Sequence, residues 1–400
     1  MIDTHSTEKA VLTMSHDSLD GPLFNLITDA VCESASDIHV DTWGSQAAVR
    51  FRIDGTVYQR KSLIYEEARR LVNQIKLAAE MHLTETSLPQ EGHFRWNNGT
   101  QYCDIRATVL STSPAHEAAH LRLLAPPEQW HNIKNLGLDD DAYRQVEQVL
   151  NASRGLVFIT GPTGSGKTTT LYSLTGITDL QGQVAVSIED PAEFDLPYVR
   201  QLEVDEEHGL TMEKGLRSLL RVDPDILLVG EIRDAASATI AARAALAGRL
   251  VMATIHSRDL AGAITAMHYL SVPYYVLGGS LRLVITQDLI RKVCPDCGRC
   301  RSLQSHERQL FEQENVPVPD KVYDAVGCKK CFGHGYRGRT GVIQVACVDD
   351  EFGGWLAHGR GSEEIQKRLL EIGTQPIFAS ALQKAASGIT SMSEVLRFYG

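Results

Sequence analysis

Between Gly155 and Tyr172 the chain reads G-L-V-F-I-T-G-P-T-G-S-G-K-T-T-T-L-Y. Leu156 to Ile159 form a continuous apolar run suited to a buried parallel strand, and Gly161 to Thr168 fit G-x-x-x-x-G-K-T, ending where a helix can begin. Gly161, Gly164 and Gly166 let the backbone curl until successive N–H groups point inward at an anion, and the positive end of the following helix adds to the attraction. The loop residues Gly161, Pro162, Thr163, Gly164, Ser165, Gly166, Lys167, Thr168 and Thr169 are therefore expected to hold a nucleotide. Lys167 is expected to reach the β- and γ-phosphates, and the Thr168 hydroxyl to take one position on Mg²⁺. The alternative, a glycine-rich turn that binds nothing, leaves the strand before it and the helix after it without a purpose.

Four hundred residues with 43% apolar content suffice for two or three packed domains without disulfide support. The net charge of −11 argues against a chain whose main task is coating nucleic acid, so no direct nucleic-acid partner is expected. Arg243, Arg249 and Arg282 interrupt the most apolar segments, and the N-terminus has no signal-peptide character. The expectation is a cytoplasmic chain whose membrane role is borrowed from a partner.

Residues 1–18 read as a loose polar tail. From Pro22 to Ser34 the spacing of Leu23, Leu26, Ile27, Ala30 and Val31 predicts an amphipathic helix. Strands are expected from S-D-I-H-V-D onward, at Ala47 to Ile53 and from Thr56 after an Asp54-Gly55 hairpin turn, at Gln101 to Leu110 and at His120 to Leu124. Glu66 to Met81 reads as a helix with Leu71, Val72, Ile75, Leu77 and Ala78 inward. Residues 19–125 thus read as a small α+β domain, and Ala125-Pro126-Pro127 opens a linker extending over 126–138. Asp139 to Leu150 reads as a helix. Apolar runs at Val184 to Ile188, Ile226 to Val229 and Leu250 to Ile255, alternating with helical stretches, predict a parallel sheet covered on both faces over 139–290. A cysteine-rich segment over 291–345 and a helical one over 346–400 follow, with helices expected at Glu363 to Ile372, Phe378 to Ser387 and Ser391 to Phe398.

Gly230-Glu231 follow the strand I-L-L-V. A carboxylate at the carboxyl end of a strand next to the loop strand can hold the Mg²⁺ shell or polarise a water, and Glu231 is the expected activator of that water. Glu189 and Asp190, in I-E-D-P-A-E, again follow an apolar strand, with Glu193 further into the loop. His256, in A-T-I-H-S, ends another strand, where it can bond a γ-phosphate and report its loss.

The ordered segments G-P-T-G-S-G-K-T-T-T-L-Y, I-E-D-P-A-E, L-R-S-L-L-R-V-D-P-D-I-L-L-V-G-E-I-R-D and T-I-H resemble the Walker A, Asp box, Walker B and His box of the secretion-type ATPases that power type II secretion and type IV pilus assembly. The resemblance extends to S-D-I-H at Ser36 to His39, R-I-D-G at Arg52 to Gly55, L-P-Q-E-G at Leu88 to Gly92 and G-Y-R-G-R-T-G at Gly335 to Gly341. It implies an α/β fold: a RecA-like P-loop NTPase core, a smaller N-terminal α+β (PAS-like) domain, a zinc-binding insertion and a helical C-terminal region. It also implies a homo-hexameric ring, ATP hydrolysis coupled to domain rotation, and a polytopic inner-membrane platform protein as the partner being turned. By motif position Arg52 and Arg106 look like the N-terminal arginines that reach the nucleotide on closure, where they would neutralise charge on the transferred phosphoryl oxygens.

Five of the eight cysteines lie between Cys294 and Cys331. Cys294-Pro-Asp-Cys297 and Cys328-Lys-Lys-Cys331 pair two C-x-x-C knuckles, matching a four-thiolate structural zinc site. Cys300 leaves open a pairing of Cys297 with Cys300, although the proline and glycine of C-P-D-C-G favour Cys294 with Cys297. Arg299, Arg301, Lys329, Lys330, Arg337 and Arg339 around them suit acidic loops, lipid head groups or an ordinary solvated face. Within the resemblance, the knuckles favour the assembly or secretion branch over retraction and conjugation relatives. Several positions depart from the family pattern, among them Arg249, Arg258, Asp288 and Gln344. Because S-D-I-H comes close to the first residue, the resemblance leads to the expectation of a short form lacking the long N-terminal docking module of many type II secretion relatives.

Overall fold

The computed structural model describes residues 13–14, 21–113, 116–124, 133–178 and 180–399. Most of the expected tail, residue 125 and residues 126–132 of the expected linker lie outside these. The chain divides into two compact units, Met1–Pro126 and Pro127–Gly400.

In the first unit the chain order is β1 (Thr13–Met14), α1 (Pro22–Cys32), β2 (Ala35–Trp43), β3 (Gln46–Ile53), β4 (Thr56–Ile64), α2 (Tyr65–Ala78), β5 (Gln90–Asn97), β6 (Tyr102–Ser113) and β7 (His116–Leu124). The strands form one sheet in the order β1-β5-β6-β7-β2-β3-β4. Asp54 and Gly55 both have positive φ, 48° and 82°, the twist that a two-residue hairpin loop between β3 and β4 requires. Alternation sends Ile38, Val40, Phe51, Ile105 and Leu121 into one core with Leu23, Ile27, Leu71, Val72 and Ile75 of the helices. Leu77, expected inward on α2, is instead 60% exposed, while Lys76 is fully buried. The Lys76 ammonium is satisfied at both ends of its reach, by the Glu85 carbonyl at 2.8 Å and by Glu117 at 2.5 Å. With Ala68, Leu71, Val72 and Ile75 on its buried face α2 turns Leu77 outward, and the ion pair compensates the charge of the buried Lys76.

The second unit continues with α3 (Asp140–Asn151), β8 (Gly155–Thr160), α4 (Lys167–Thr175), β9 (Ala185–Glu189), β10 (Val199–Glu203), α5 (Met212–Leu219), β11 (Ile226–Val229), α6 (Ala235–Leu246), β12 (Leu250–Ile255), α7 (Leu260–Tyr269), α8 (Tyr274–Ser280), β13 (Leu281–Val293), β14 (Gly298–Ser302), α9 (Ser305–Gln313), β15 (Lys321–Ala325), β16 (Tyr336–Cys347), α10 (Asp350–Leu356), α11 (Ser362–Glu371), α12 (Ile377–Ala386) and α13 (Met392–Tyr399). Its main sheet runs β10-β9-β11-β12-β8-β13-β16. All neighbours pair in parallel except β16, which runs antiparallel to β13. Leu156 and Phe158 join the core on one face of this sheet, Val157 and Ile159 the core on the other. Two buried faces are why β8 reads as an unbroken apolar run.

Sheet order corrects one expectation. The strand that leads to Glu231 is not next to the phosphate-loop strand: β12, which leads to His256, lies between β11 and β8. The long β13–β16 pair was not legible as strand; β13 continues the main sheet past residue 290 to Val293, and β16 runs from Tyr336 through 345 to Cys347. Both strands therefore belong to the main sheet and to the cysteine-bearing segment at once. Beside it β14 and β15 form a small antiparallel ribbon. Among the described residues no helix is long and apolar enough to cross a membrane.

Candidate nucleotide and metal sites

Parallel strands place their carboxyl ends along one edge. Thr160 pairs with Ile255, so Gly161 and His256 leave the sheet side by side. Gly161, Gly164 and Gly166 have φ of 150°, 79° and 85°, values that a side chain would strain. Gly166 caps α4, so the loop ends on a helix N-terminus. The Ser165 hydroxyl is buried with no hydrogen-bond partner, an orphaned donor in a loop suited to anions.

From the loop a chain of polar contacts crosses the strand ends. Lys167 Nζ donates to the carbonyls of Gly161 and Pro162 at 2.9 and 3.0 Å and lies 3.3 Å from His256 Nδ1. His256 Nε2 lies 2.5 Å from Glu231 Oε1. With an ammonium facing Nδ1, that nitrogen is the acceptor, and Nε2 is the ring atom that faces the carboxylate. Burial lowers the Lys167 pKa, and the Glu231 charge works against that fall. The carboxylate is held from its other side by Arg233, whose Nε donates to Oε2 at 2.7 Å while its NH1 reaches Asp190 at 3.0 Å. The Ile232 amide bonds Thr254 O, and the Thr254 hydroxyl bonds Gly230 O at 2.5 Å, fixing Glu231 against β12.

Glu189 is placed differently. It is 2% exposed and accepts from Tyr172 OH, from Ser187 Oγ at 2.7 Å and from Gln201 Nε2 at 3.1 Å. Burial and the bond to Glu189 push the Tyr172 phenol well above its ordinary range. Glu189 is thus an anchored carboxylate, whereas Glu231 faces the loop residues. Arg233, Tyr172 and Gln201 were not singled out from the sequence. Arg233 had a signal, two residues beyond Glu231; Gln201 sits on an edge strand that only the fold brings to Glu189.

Thr168 and Thr169 lie in the first turn of α4, half buried. A hydroxyl directly after the loop lysine suits a hard, oxygen-seeking Mg²⁺, which would supply charge neutralisation at the phosphates.

The four sulfurs of Cys294, Cys297, Cys328 and Cys331 all lie within 4.8 Å of one another. Four soft donors in so small a space fit a tetrahedral zinc ion with no open position. Burial works against the Cys331 thiolate, but N–H groups of Cys328 and Gly335, at 3.1 and 3.2 Å from its sulfur, and the neighbouring thiols bring the group down to about 7. Gly298 N bonds Cys294 O at 2.9 Å to close the first knuckle, and a side chain at 298 would strike Val293 at 2.7 Å. Cys300 is exposed on β14, paired across the ribbon with Tyr323, and stands outside the cluster.

In the first unit five cross-strand partners fall in one row: His93, Arg106, Arg122, Asp37 and Arg52. Directly opposed residues share a face, so Arg52 and Arg106 point from the same side of the sheet. Asp37 organises the row. It bonds His120 Nε2 at 2.8 Å and Ser36 Oγ at 2.8 Å, and pairs with Arg52 at 3.3 Å and Arg122 at 3.5 Å. Burial opposes its charge, yet the His120 and Ser36 bonds and the Arg122 charge hold its carboxyl well below the usual range. A depressed carboxylate contributes stability in full above its unfolded value near 4 and loses it as pH falls toward the folded one. Asp37→Asn is expected to cost about 1–3 kcal/mol at pH 7. In urea unfolding the gap from wild type should close progressively below about pH 4; a pH-independent gap would assign the loss to packing.

A family model described as Type II/IV secretion system protein matches residues 15–397. The chain is 34% identical over 384 residues to the type II secretion system ATPase E of Vibrio cholerae, spanning 94% of this chain and 75% of that protein. It is 36% identical over 382 residues to the type II secretion system protein E of Aeromonas hydrophila, spanning 94% and 76%. To the type IV pilus assembly ATPase PilB of Thermus thermophilus it is 34% identical over 372 residues, spanning 93% and 42%. Among solved structures, the Legionella pneumophila ATPase DotB matches with a TM-score of 0.68 at 20% identity, covering 93% of this chain and 94% of that one. The pilus retraction motor PilT, solved with ADP, matches at 0.58 and 24%, covering 94% and 96%. The two structures share the fold, an α/β RecA-like core with a smaller second unit. A family match of this extent, with two type II secretion relatives above 30% identity over about three quarters of their length, settles descent: the chain belongs to the type II/IV secretion system protein family.

Proposed function

We propose that this ATPase is a hexameric motor that couples ATP hydrolysis to domain rotation, driving pilus or pseudopilus assembly or protein secretion through a polytopic inner-membrane platform protein. The observation that carries the reading is the contact chain from Lys167 through His256 to Glu231, braced by Arg233, at the carboxyl edge of a parallel sheet. In this reading the loop N–H groups and Lys167 hold the triphosphate, with Mg²⁺ at Thr168. Glu231 polarises the water that attacks the γ-phosphorus and takes its proton as the bond to ADP breaks. His256, lying between the two, couples the charge at Lys167 to the carboxylate. Arg52 and Arg106, on one face of the first unit, neutralise oxygens of the transferred group when the units close, which makes turnover conditional on movement. Zinc holds the two knuckles together and takes no part in hydrolysis. The relatives' names support secretion or pilus assembly as the process, and the protein would work at the cytoplasmic side of the inner membrane, held there by partners.

The test is steady-state phosphate release by the full chain, with Lys167→Ala as background, alongside light scattering. A rate above background that rises with the mass of a six-copy species supports the motor. A rate equal to background with nucleotide still bound would make the chain a nucleotide-binding scaffold, the reading that the departures at Arg249, Arg258 and Asp288 favour. Stimulation by DNA would instead point to a nucleic-acid translocase.

A further inference from the structure

We propose that Gln287 is a positioning residue that sets the orientation of the phosphate loop from the neighbouring strand; the proposal rests on the nucleotide-binding reading of that loop. The ladder between β8 and β13 ends at the pair Thr160–Thr286. Immediately beyond it Gln287 takes over. Its main-chain oxygen lies so close to Gly161 that a side chain there would come within 2.2 Å of it. Its side-chain Nε2 donates to the Ser165 carbonyl at 2.6 Å. The loop is thereby gripped at its first glycine and near its last, on either side of Pro162, Thr163 and Gly164.

The second grip has a stereochemical consequence. A trans peptide is planar, so its carbonyl oxygen and the next N–H point in opposite directions. Holding the Ser165 oxygen against Gln287 therefore aims the Gly166 N–H away from β13, the direction in which an anion cradle needs its donors. Gly166, at φ 85°, has the freedom to turn that peptide the other way and present an oxygen to the phosphates; Gln287 opposes the turn. The residue's own cost supports the assignment. Gln287 is 2% exposed, and its Oε1 is buried without a partner. An apolar side chain of similar size would avoid that penalty, so what justifies an amide here is the donor it offers Ser165.

Two variants separate positioning from packing. Gln287→Leu fills the volume without a donor, and Gln287→Glu keeps the shape but sets an acceptor against the Ser165 oxygen. In the 400-residue chain, the dissociation constant of fluorescent mant-ADP and the KM for ATP are expected to rise about tenfold for Leu and further for Glu, which is roughly 1.4 kcal/mol or more. The kcat should stay within about threefold, and the melting temperature of the nucleotide-free Leu variant within a few degrees; the Glu variant buries a carboxylate and is expected to melt lower. Unchanged affinity in both variants overturns the proposal. So does a loss of affinity that only tracks a fall in melting temperature, since that is a packing role. If the wild type binds mant-ADP but does not hydrolyse ATP, the motor reading fails while the affinity comparison still decides the role of Gln287.

Discussion

Replacing Glu231 by glutamine is expected to lower kcat for ATP hydrolysis by about 10²–10³-fold while ATP affinity stays within about threefold. The substitution keeps the shape of a side chain held between His256 at 2.5 Å and Arg233 at 2.7 Å. It removes the negative charge and the capacity to take a proton. In the proposed reading affinity is carried elsewhere, by loop N–H groups and Lys167, so binding and turnover should separate. Rapid-quench measurement of a single turnover reads the chemical step without product release. A Glu231→Gln rate within about tenfold of wild type would place the base elsewhere. Glu189→Gln makes the contrast: its carboxylate serves three donors in a site 2% exposed, so that variant should lose stability as well as rate.

Stripping the metal is expected to have the largest effect on stability. Knuckle-type zinc sites contribute apparent binding energies of about 10–16 kcal/mol in isolated peptides. Here the knuckles follow β13 and precede β16, beside a core made by Ile290, Phe311, Val322 and Val342 with residues of α12 and α13. Loss of even about 4 kcal/mol should lower the melting temperature by roughly 10 °C. Atomic emission should find one zinc per wild-type chain and almost none in a Cys294→Ser/Cys331→Ser double variant. Chelation should become easier as pH falls, because protons compete for the thiolates. Wild-type protein that holds no zinc, and melts unchanged in chelator, would make the four cysteines a reduced cluster with no metal role.

The sequence by itself determined whatever is local. The apolar run of β8, the three loop glycines, the Asp54-Gly55 turn and the paired C-x-x-C knuckles each encode a backbone path or donor set within a few residues, because steric limits on φ and ψ and the geometry of metal ligands act at that range. Strand order and register were decided by the tertiary structure. They put β12 between the loop strand and Glu231, drew His256 onto the carboxylate, and lined up Arg106, Arg122, Asp37 and Arg52 across four strands. They also laid Gln287 against Gly161 and against Ser165, the latter 122 residues away in the chain. Such contacts follow from which apolar faces bury best against each other over the whole sheet, a sum over many residues that no short stretch carries. The same applies to Lys76, whose burial depended on where Glu117 and the Glu85 carbonyl came to lie.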